Sequence, residues 1–234
     1  ISSNRIRHLP EDFSNALEFL DAARNNLQSI PEGLPNYIEY LDVSENELGR
    51  LPDKLPARLI TLNVAGNALT DIPDYFNQSF SNHPLNVENL YICNNQITAL
   101  PESWSPHLMR LDASNNQLTN IPTGIPDSIM ELHLEDNHIT SLPDEIYTLS
   151  GNSFDRNAAE VYLEGNDLSV ATREELRTRA NDSGPRIYFS MAAGSADAAP
   201  AELLSIAVAR WYSADENTST HNTHIADIQN TWAQ

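Results

Sequence analysis

Residues 111–122 read LDASNNQLTNIP, and residues 132–143 read LHLEDNHITSLP. Both stretches place an apolar residue at positions 1, 3 and 8, an asparagine at position 6, and an aliphatic-proline pair at the end. A unit that recurs with this fidelity is a structural repeat, and repeats decide the fold before any other pattern does.

The asparagine of this unit recurs along the first 170 residues or so. Beginning at Asn4, which is the tail of a copy without its strand, successive asparagine positions differ by 21, 21, 21, 28, 21, 21 and 29 residues. This spacing predicts a solenoid in which stacked copies bury one another's apolar faces. The seven complete copies place the asparagine at Asn25, Asn46, Asn67, Asn95, Asn116, Asn137 and Asn166.

Prolines determine what the rest of each repeat can be. An aliphatic-proline pair follows each asparagine except Asn166, as in Leu51-Pro52 and Ile121-Pro122. Because proline fixes φ and lacks a backbone N–H, the return path of a 21-residue repeat cannot be a regular helix. We therefore predict short bacterial-type leucine-rich repeats: a concave parallel β-sheet with an extended, polyproline-like convex side. The two longer copies have room for a short convex helix, in residues 74–84 and 144–159.

The asparagine column has two interpretations. It could be a polar ladder for a ligand, or a structural ladder in which each side chain bonds the backbone of neighbouring turns. Unpaired buried polar groups destabilise a protein by roughly 1–3 kcal/mol, which favours the structural ladder.

Composition excludes several functions. The chain has 33 acidic and 13 basic residues, a formal charge of −20, which argues against binding the phosphates of nucleic acids. No apolar run approaches the length of a membrane span. The single Cys93 excludes an intrachain disulfide and a cysteine-based zinc site, and we predict neither a metal site nor a cofactor. Because the chain begins with Ile1 and shows no signal peptide, we expect a fragment of a longer protein.

The predicted concave face carries aromatic residues among charges, a composition typical of protein-recognition surfaces. The acidic excess is greatest between Glu131 and Glu164. An alternative is that the carboxylates only keep a long solenoid soluble. The candidate binding residues are Asp21, Asp42, Tyr91, Arg110, Asp112, Glu131, His133, Glu135, Glu160, Tyr162 and Glu164.

Two candidates for catalysis fall on the same face. Cys93 would need a depressed pKa to act as a nucleophile, and the nearby Asp112 disfavours its anion. His133 beside Asp112 resembles half of a general-base pair or of a metal site, but no nucleophile or third ligand accompanies it. We predict a binding-face histidine and no catalytic residue in this chain.

The C-terminal part resembles a known family. Residues 142–149 read LPDEIYTL, residues 163–168 read LEGNDL, Thr172 to Glu175 form a predicted capping box, and residues 184–191 read GPRIYFSM. Together these resemble the end of the repeat domain in the IpaH family, effectors that bacteria inject by type III secretion and that act as E3 ubiquitin ligases in host cells. Residues 203–212 look like the opening helix of that family's ligase domain.

The resemblance implies a domain plan and a function. It implies repeats in 1–171, a helical cap in 172–191, a linker in 192–202 and the start of a helical ligase domain in 203–234, whose catalytic cysteine lies further downstream. The partners would be a host substrate protein, a host ubiquitin-conjugating enzyme and ubiquitin, in the host cytoplasm or nucleus. The alternative is a non-enzymatic effector, in which the solenoid acts as a scaffold or inhibitor of a host protein.

Overall fold

A computed structural model describes residues 1–73, 76, 85, 87–151, 158–179 and 184–190. Eight short parallel strands form one sheet in chain order, each paired with the next, so the predicted leucine-rich-repeat solenoid is confirmed. The strands are β1 Phe19–Asp21, β2 Tyr40–Asp42, β3 Thr61–Asn63, β4 Asn89–Tyr91, β5 Arg110–Asp112, β6 Glu131–His133, β7 Glu160–Tyr162 and β8 Arg186–Tyr188.

The middle residue of every strand points into the core. Leu41, Leu90 and Leu132 are fully buried, and Val161 takes the same place in β7. Because side chains alternate across a strand, the first and third residues point to the concave side. Behind the middle residues, a continuous apolar core runs the length of the described repeats.

The convex side is extended, as the prolines predict. No helix occurs in the return segments of the 21-residue repeats, all of which are described. The second long repeat does contain the predicted convex helix, a 3₁₀ helix at Asp144–Thr148 that buries Ile146. Most of the first long insertion lies outside the described residues, apart from a buried Phe76 whose ring lies 6.3 Å from that of Trp104.

The C-terminal cap contains helix α1, Val170–Thr178. The predicted capping box of Thr172 and Glu175 is wrong. The repeat ends at Leu168, so Ser169 becomes the N-cap and its hydroxyl accepts a hydrogen bond from the Thr172 N–H at 3.1 Å. Thr172 lies inside the first turn, where its hydroxyl donates to the Thr140 carbonyl at 3.0 Å and ties the helix to the repeats.

Strand β8 follows α1 and extends the sheet by one strand. The segment predicted only as a helical cap therefore adds Arg186 and Tyr188 to the concave face. The predicted linker 192–202 and ligase-domain start 203–234 lie outside the described residues, and the domain boundaries remain predictions. Within the described part of the chain, no helix has the length and apolarity needed to cross a membrane.

Candidate functional site

The asparagine column holds the repeats together. Asn116 is typical: its Oδ1 accepts from the Ile97 N–H at 2.9 Å, and its Nδ2 lies 3.1 Å from the carbonyl oxygens of Ile92 and Ala113. Each ladder asparagine likewise joins a backbone N–H and a carbonyl of the preceding repeat to a carbonyl of its own repeat. These amides are fully engaged with backbone groups and do not face a ligand.

The concave face consists of two outward rows of side chains. The sheet register aligns the first residues of all strands in a first row and the third residues in a second row. The first row is Phe19, Tyr40, Thr61, Asn89, Arg110, Glu131, Glu160 and Arg186; the second is Asp21, Asp42, Asn63, Tyr91, Asp112, His133, Tyr162 and Tyr188. Nine of the predicted binding residues lie in these rows. Glu135 and Glu164 follow β6 and β7, each two residues after its strand ends.

The aspartates of the second row have a structural role in addition to their place on the face. The Oδ1 atom of Asp42 accepts from the Ser44 N–H at 2.9 Å and the Ser44 hydroxyl at 2.7 Å, and Asp112 makes the same pair of bonds with Ser114. Asp21 accepts from the Ala23 N–H at 3.0 Å. Such bonds close the turns that follow β1, β2 and β5.

Aromatic rings replace these aspartates at the C-terminal end of the second row. The ring of Tyr162 stacks on His133, with centroids 4.3 Å apart, and on Tyr188, with centroids 4.7 Å apart. The Tyr162 hydroxyl donates to Glu160 at 2.7 Å, and burial together with this bond raises the pKa of Tyr162. Tyr188 was missed by the sequence analysis. The signal was the charged-aliphatic-tyrosine order of residues 186–188, which repeats that of residues 160–162.

The hydrogen bond of His133 was not predicted. Although Asp112 lies opposite His133 in the sheet register, the His133 Nδ1 contacts Oε1 of Glu135 at 2.9 Å. This hydrogen bond is the main reason that the pKa of His133 is raised. Glu135 lies two residues after His133 and just before the bend at Asp136, and the alignment of columns between repeats did not predict this contact within one repeat.

The carboxylates of β6 and β7 fall into two groups. Glu131 and Glu160 each pair with an arginine of the first row, Arg110 at 3.1 Å and Arg186 at 3.0 Å. In contrast, Oε2 of Glu135 and Oε2 of Glu164 are buried and have no hydrogen-bond partner among the described residues. Burial, with a smaller effect from Glu135, raises the pKa of Glu164.

The thiol of Cys93 is unsuited to nucleophilic chemistry. Burial, reinforced by Asp112, raises its pKa to about 12, so the thiolate is scarce at neutral pH. Within the described residues, no group of three or more histidine, cysteine, aspartate and glutamate side chains is arranged to hold a metal ion.

A shallow depression of about 430 Å³ lies at the middle of the face. It is lined by Tyr40, Tyr91 and Arg110, together with small uncharged side chains of β3 and β4 that were not among the predicted binding residues: Thr61, Asn63 and Asn89. The site as a whole is an open, pre-formed surface and not a closed pocket.

This architecture defines a leucine-rich-repeat solenoid with a polar and aromatic concave sheet. The family model described as Leucine Rich Repeat matches residues 107–129. The chain is 50% identical over 54 residues to the E3 ubiquitin-protein ligase SspH1 of Salmonella typhimurium, a match that spans 23% of this chain and 8% of that relative.

Solved structures extend the similarity across the repeats. The leucine-rich-repeat domain of a Shigella effector superposes with a TM-score of 0.63 at 28% identity, covering 80% of this chain and 78% of that one. YopM, a leucine-rich effector protein from Yersinia pestis, superposes with a TM-score of 0.51 at 23% identity, covering 72% and 54%, and supports the fold alone. The chain is thus a repeat domain similar to those of bacterial effectors.

Proposed function

We propose that the concave face binds a host protein, and that the domain selects this protein as the substrate of a bacterial E3 ubiquitin ligase delivered by type III secretion. The observation that carries the binding proposal is the pre-formed concave sheet, on which tyrosines, arginines and carboxylates lie in register. The similarity to SspH1 supports the ligase context.

The physical argument for protein recognition rests on rigidity and composition. The stacked rings and the Arg110–Glu131 and Arg186–Glu160 pairs hold long side chains in place before any partner arrives. Less side-chain entropy is then lost on binding. Tyrosine adds a large contact area with a polar end, the property that enriches it at binding hot spots.

The ubiquitin chemistry is assigned to a downstream domain. Cys93 is the single cysteine of this sequence, and its raised pKa makes it a poor acceptor of ubiquitin. In the proposed cycle, a cysteine outside this chain accepts ubiquitin from a conjugating enzyme and passes it to a lysine of the protein held by the solenoid.

Site-specific photo-cross-linking tests the binding surface. A photoreactive phenylalanine analogue replaces Tyr91 or Tyr162 on the concave face, or, as a matched control, the exposed Tyr37 outside both concave rows. We expect the two concave positions to cross-link the same host protein, and the purified host protein to bind the domain directly. Cross-linking of that protein from Tyr37 alone would contradict the assignment of the face.

A separate experiment tests the ligase context. The full reading frame is incubated with a ubiquitin-charged conjugating enzyme, and a thiol-reducible ubiquitin adduct is sought. We expect an adduct that disappears when a downstream cysteine is replaced, whereas this chain alone forms none. Absence of the adduct, even after the repeats are removed, would leave the non-enzymatic effector as the function.

A further inference from the structure

The concave face carries its charge unevenly. The outward residues of β3 and β4 are uncharged, whereas those of β6 and β7, with the residues that follow the strands, include four glutamates. We define the acidic-aromatic patch as Glu131, Glu135, Glu160, Glu164, Tyr162 and Tyr188. Its four glutamates face two arginines, Arg110 and Arg186, so this end of the face carries a net charge of −2 when His133 is neutral. Solubility alone would not require this concentration on one end of a binding face.

The ion pairs of the patch leave part of its acidity unsatisfied. Arg110 and Arg186 neutralise Glu131 and Glu160 in the first row. No arginine or lysine pairs with Glu135 or Glu164 among the described residues, and the buried Oε2 of each lacks a hydrogen-bond partner. These Oε2 atoms are closed to a partner, and Oε1 of Glu135 already contacts His133. Both glutamate side chains are nevertheless partly exposed, so their negative charge can attract a cation from outside.

The aromatic stack lies beside these two glutamates. His133, Tyr162 and Tyr188 form a wall along the second row, with neighbouring rings nearly parallel, 3° and 12° apart. Because His133 and Tyr188 cover both faces of the Tyr162 ring, the stack offers ring edges to a partner. An arginine suits such a position, because its planar donors can bond carboxylates while its aliphatic stem packs along those edges. The charge of the glutamates and the aromatic stack both favour a basic side chain as the ligand.

We propose that the acidic-aromatic patch recognises a basic segment of the partner protein, with an arginine or lysine side chain held between Glu135 and Glu164 and the neighbouring chain packed along Tyr162 and Tyr188. This inference rests on the proposed binding function and specifies its partner. Attraction of a basic segment to this end of the sheet also orients the partner over the depression at β3 and β4.

A defined peptide probe tests the proposal. A short peptide that alternates arginine and serine is titrated into the domain by calorimetry, and its footprint is mapped by NMR chemical shifts. We expect the largest shifts on β6 to β8, with binding weakened by added salt and by about tenfold when citrulline replaces arginine. Equal binding of the citrulline peptide would overturn the proposal without requiring any protein variant.

Matched double variants separate the patch from the overall charge. Glu135→Gln with Glu164→Gln removes two carboxylates from the patch, and Glu102→Gln with Asp127→Asn removes two exposed carboxylates from return segments. We expect about tenfold weaker binding for the first pair and little change for the second. Equal losses would show that the peptide responds only to net charge. If no peptide binds while the photo-cross-linked partner does, the basic segment is wrong and the proposed function stands.

Discussion

The two ends of the concave sheet have the same backbone structure but carry different side chains in the second row. In β1 to β3 the second row holds Asp21, Asp42 and Asn63, whose side chains accept from the N–H two residues further on and so complete their own turns. In β6 to β8 the same row holds a stack of His133, Tyr162 and Tyr188.

The comparison separates scaffold from surface. Asp21, Asp42 and Asn63 bond the backbone of their own turns, whereas His133 and Tyr162 bond the side chains of Glu135 and Glu160. The N-terminal strands therefore contribute more to the repeat itself, and the C-terminal strands offer more to a partner. The asparagine ladder runs unchanged beneath both.

The largest expected effect tests that shared ladder. Asn137→Ala leaves the backbone N–H of Leu118 without its acceptor, and Asn46→Ala does the same to that of Leu27. Each variant should lower the free energy of unfolding by about 1–3 kcal/mol. The loss should be larger at Asn137, which is only 3% exposed. Urea denaturation measures both, with the exposed Asn120→Ala as control, expected within about 0.5 kcal/mol of the native chain. An effect at one end only would mean that the scaffold is not uniform.

The residue before each ladder asparagine gives a second test. Gly66 and Gly165 occupy the left-handed region there, at φ of 66° and 72°. Gly66→Ala should cost about 1 kcal/mol from the backbone conformation alone. Gly165→Ala should cost about 2 kcal/mol, because its Cβ would also collide with Oδ1 of Asp136. At Gly66 the Cβ would meet Cγ of Glu45 at 3.3 Å, a tight contact that a shift of a few tenths of an ångström in that side chain relieves.

Thermal or urea unfolding of these two variants gives the comparison directly. The reverse change supplies the control: Glu45→Gly relieves the same left-handed strain at φ 52° but breaks the Arg24–Glu45 pair, so its net effect should be small. A larger loss at Gly66 than at Gly165 would contradict the packing argument.

A smaller effect separates turn residues from stacked ones. Asp42→Ala leaves the Ser44 N–H without its acceptor and should cost about 1 kcal/mol, whereas Asp42→Asn keeps that acceptor and should recover most of the loss. Tyr162→Phe keeps the stacked ring, so it should change stability by less than about 0.5 kcal/mol. Chemical denaturation of the three variants ranks them. If Tyr162→Phe proved the most destabilising, the division of roles would be wrong.

The smallest effect is a pH dependence near neutrality that arises at the C-terminal end. The hydrogen bond to Glu135 raises the pKa of His133 above 6.5, and burial raises that of Glu164 above 4.5. A raised pKa in the folded state contributes stability that is fully present below the unfolded value and is lost as pH rises through the folded value. The urea midpoint should therefore fall slightly as pH rises through neutrality. His133→Gln should remove that part of the profile, and the exposed His107→Gln should leave it in place.

More of the fold than of the candidate site could be predicted from the sequence. The asparagine spacing and the proline pairs suffice to predict the repeat class, because a 21-residue unit without a helical return has few ways to bury its aliphatic residues. The same alignment placed Asp21, Tyr91 and Tyr162 in one row, since register in a solenoid follows the repeat. It did not predict the contacts that side chains make within and beyond those rows.

By itself, the sequence determined a solenoid, its concave rows and the sign of their charge, since these follow from periodicity and composition. The tertiary structure alone decided that Ser169 caps α1, that β8 joins the sheet, and that His133 bonds Glu135 instead of Asp112. The physical reason is common to all three. Periodicity fixes the register of the strands, but it specifies neither how the chain continues after the last repeat nor which side-chain atoms meet within one repeat.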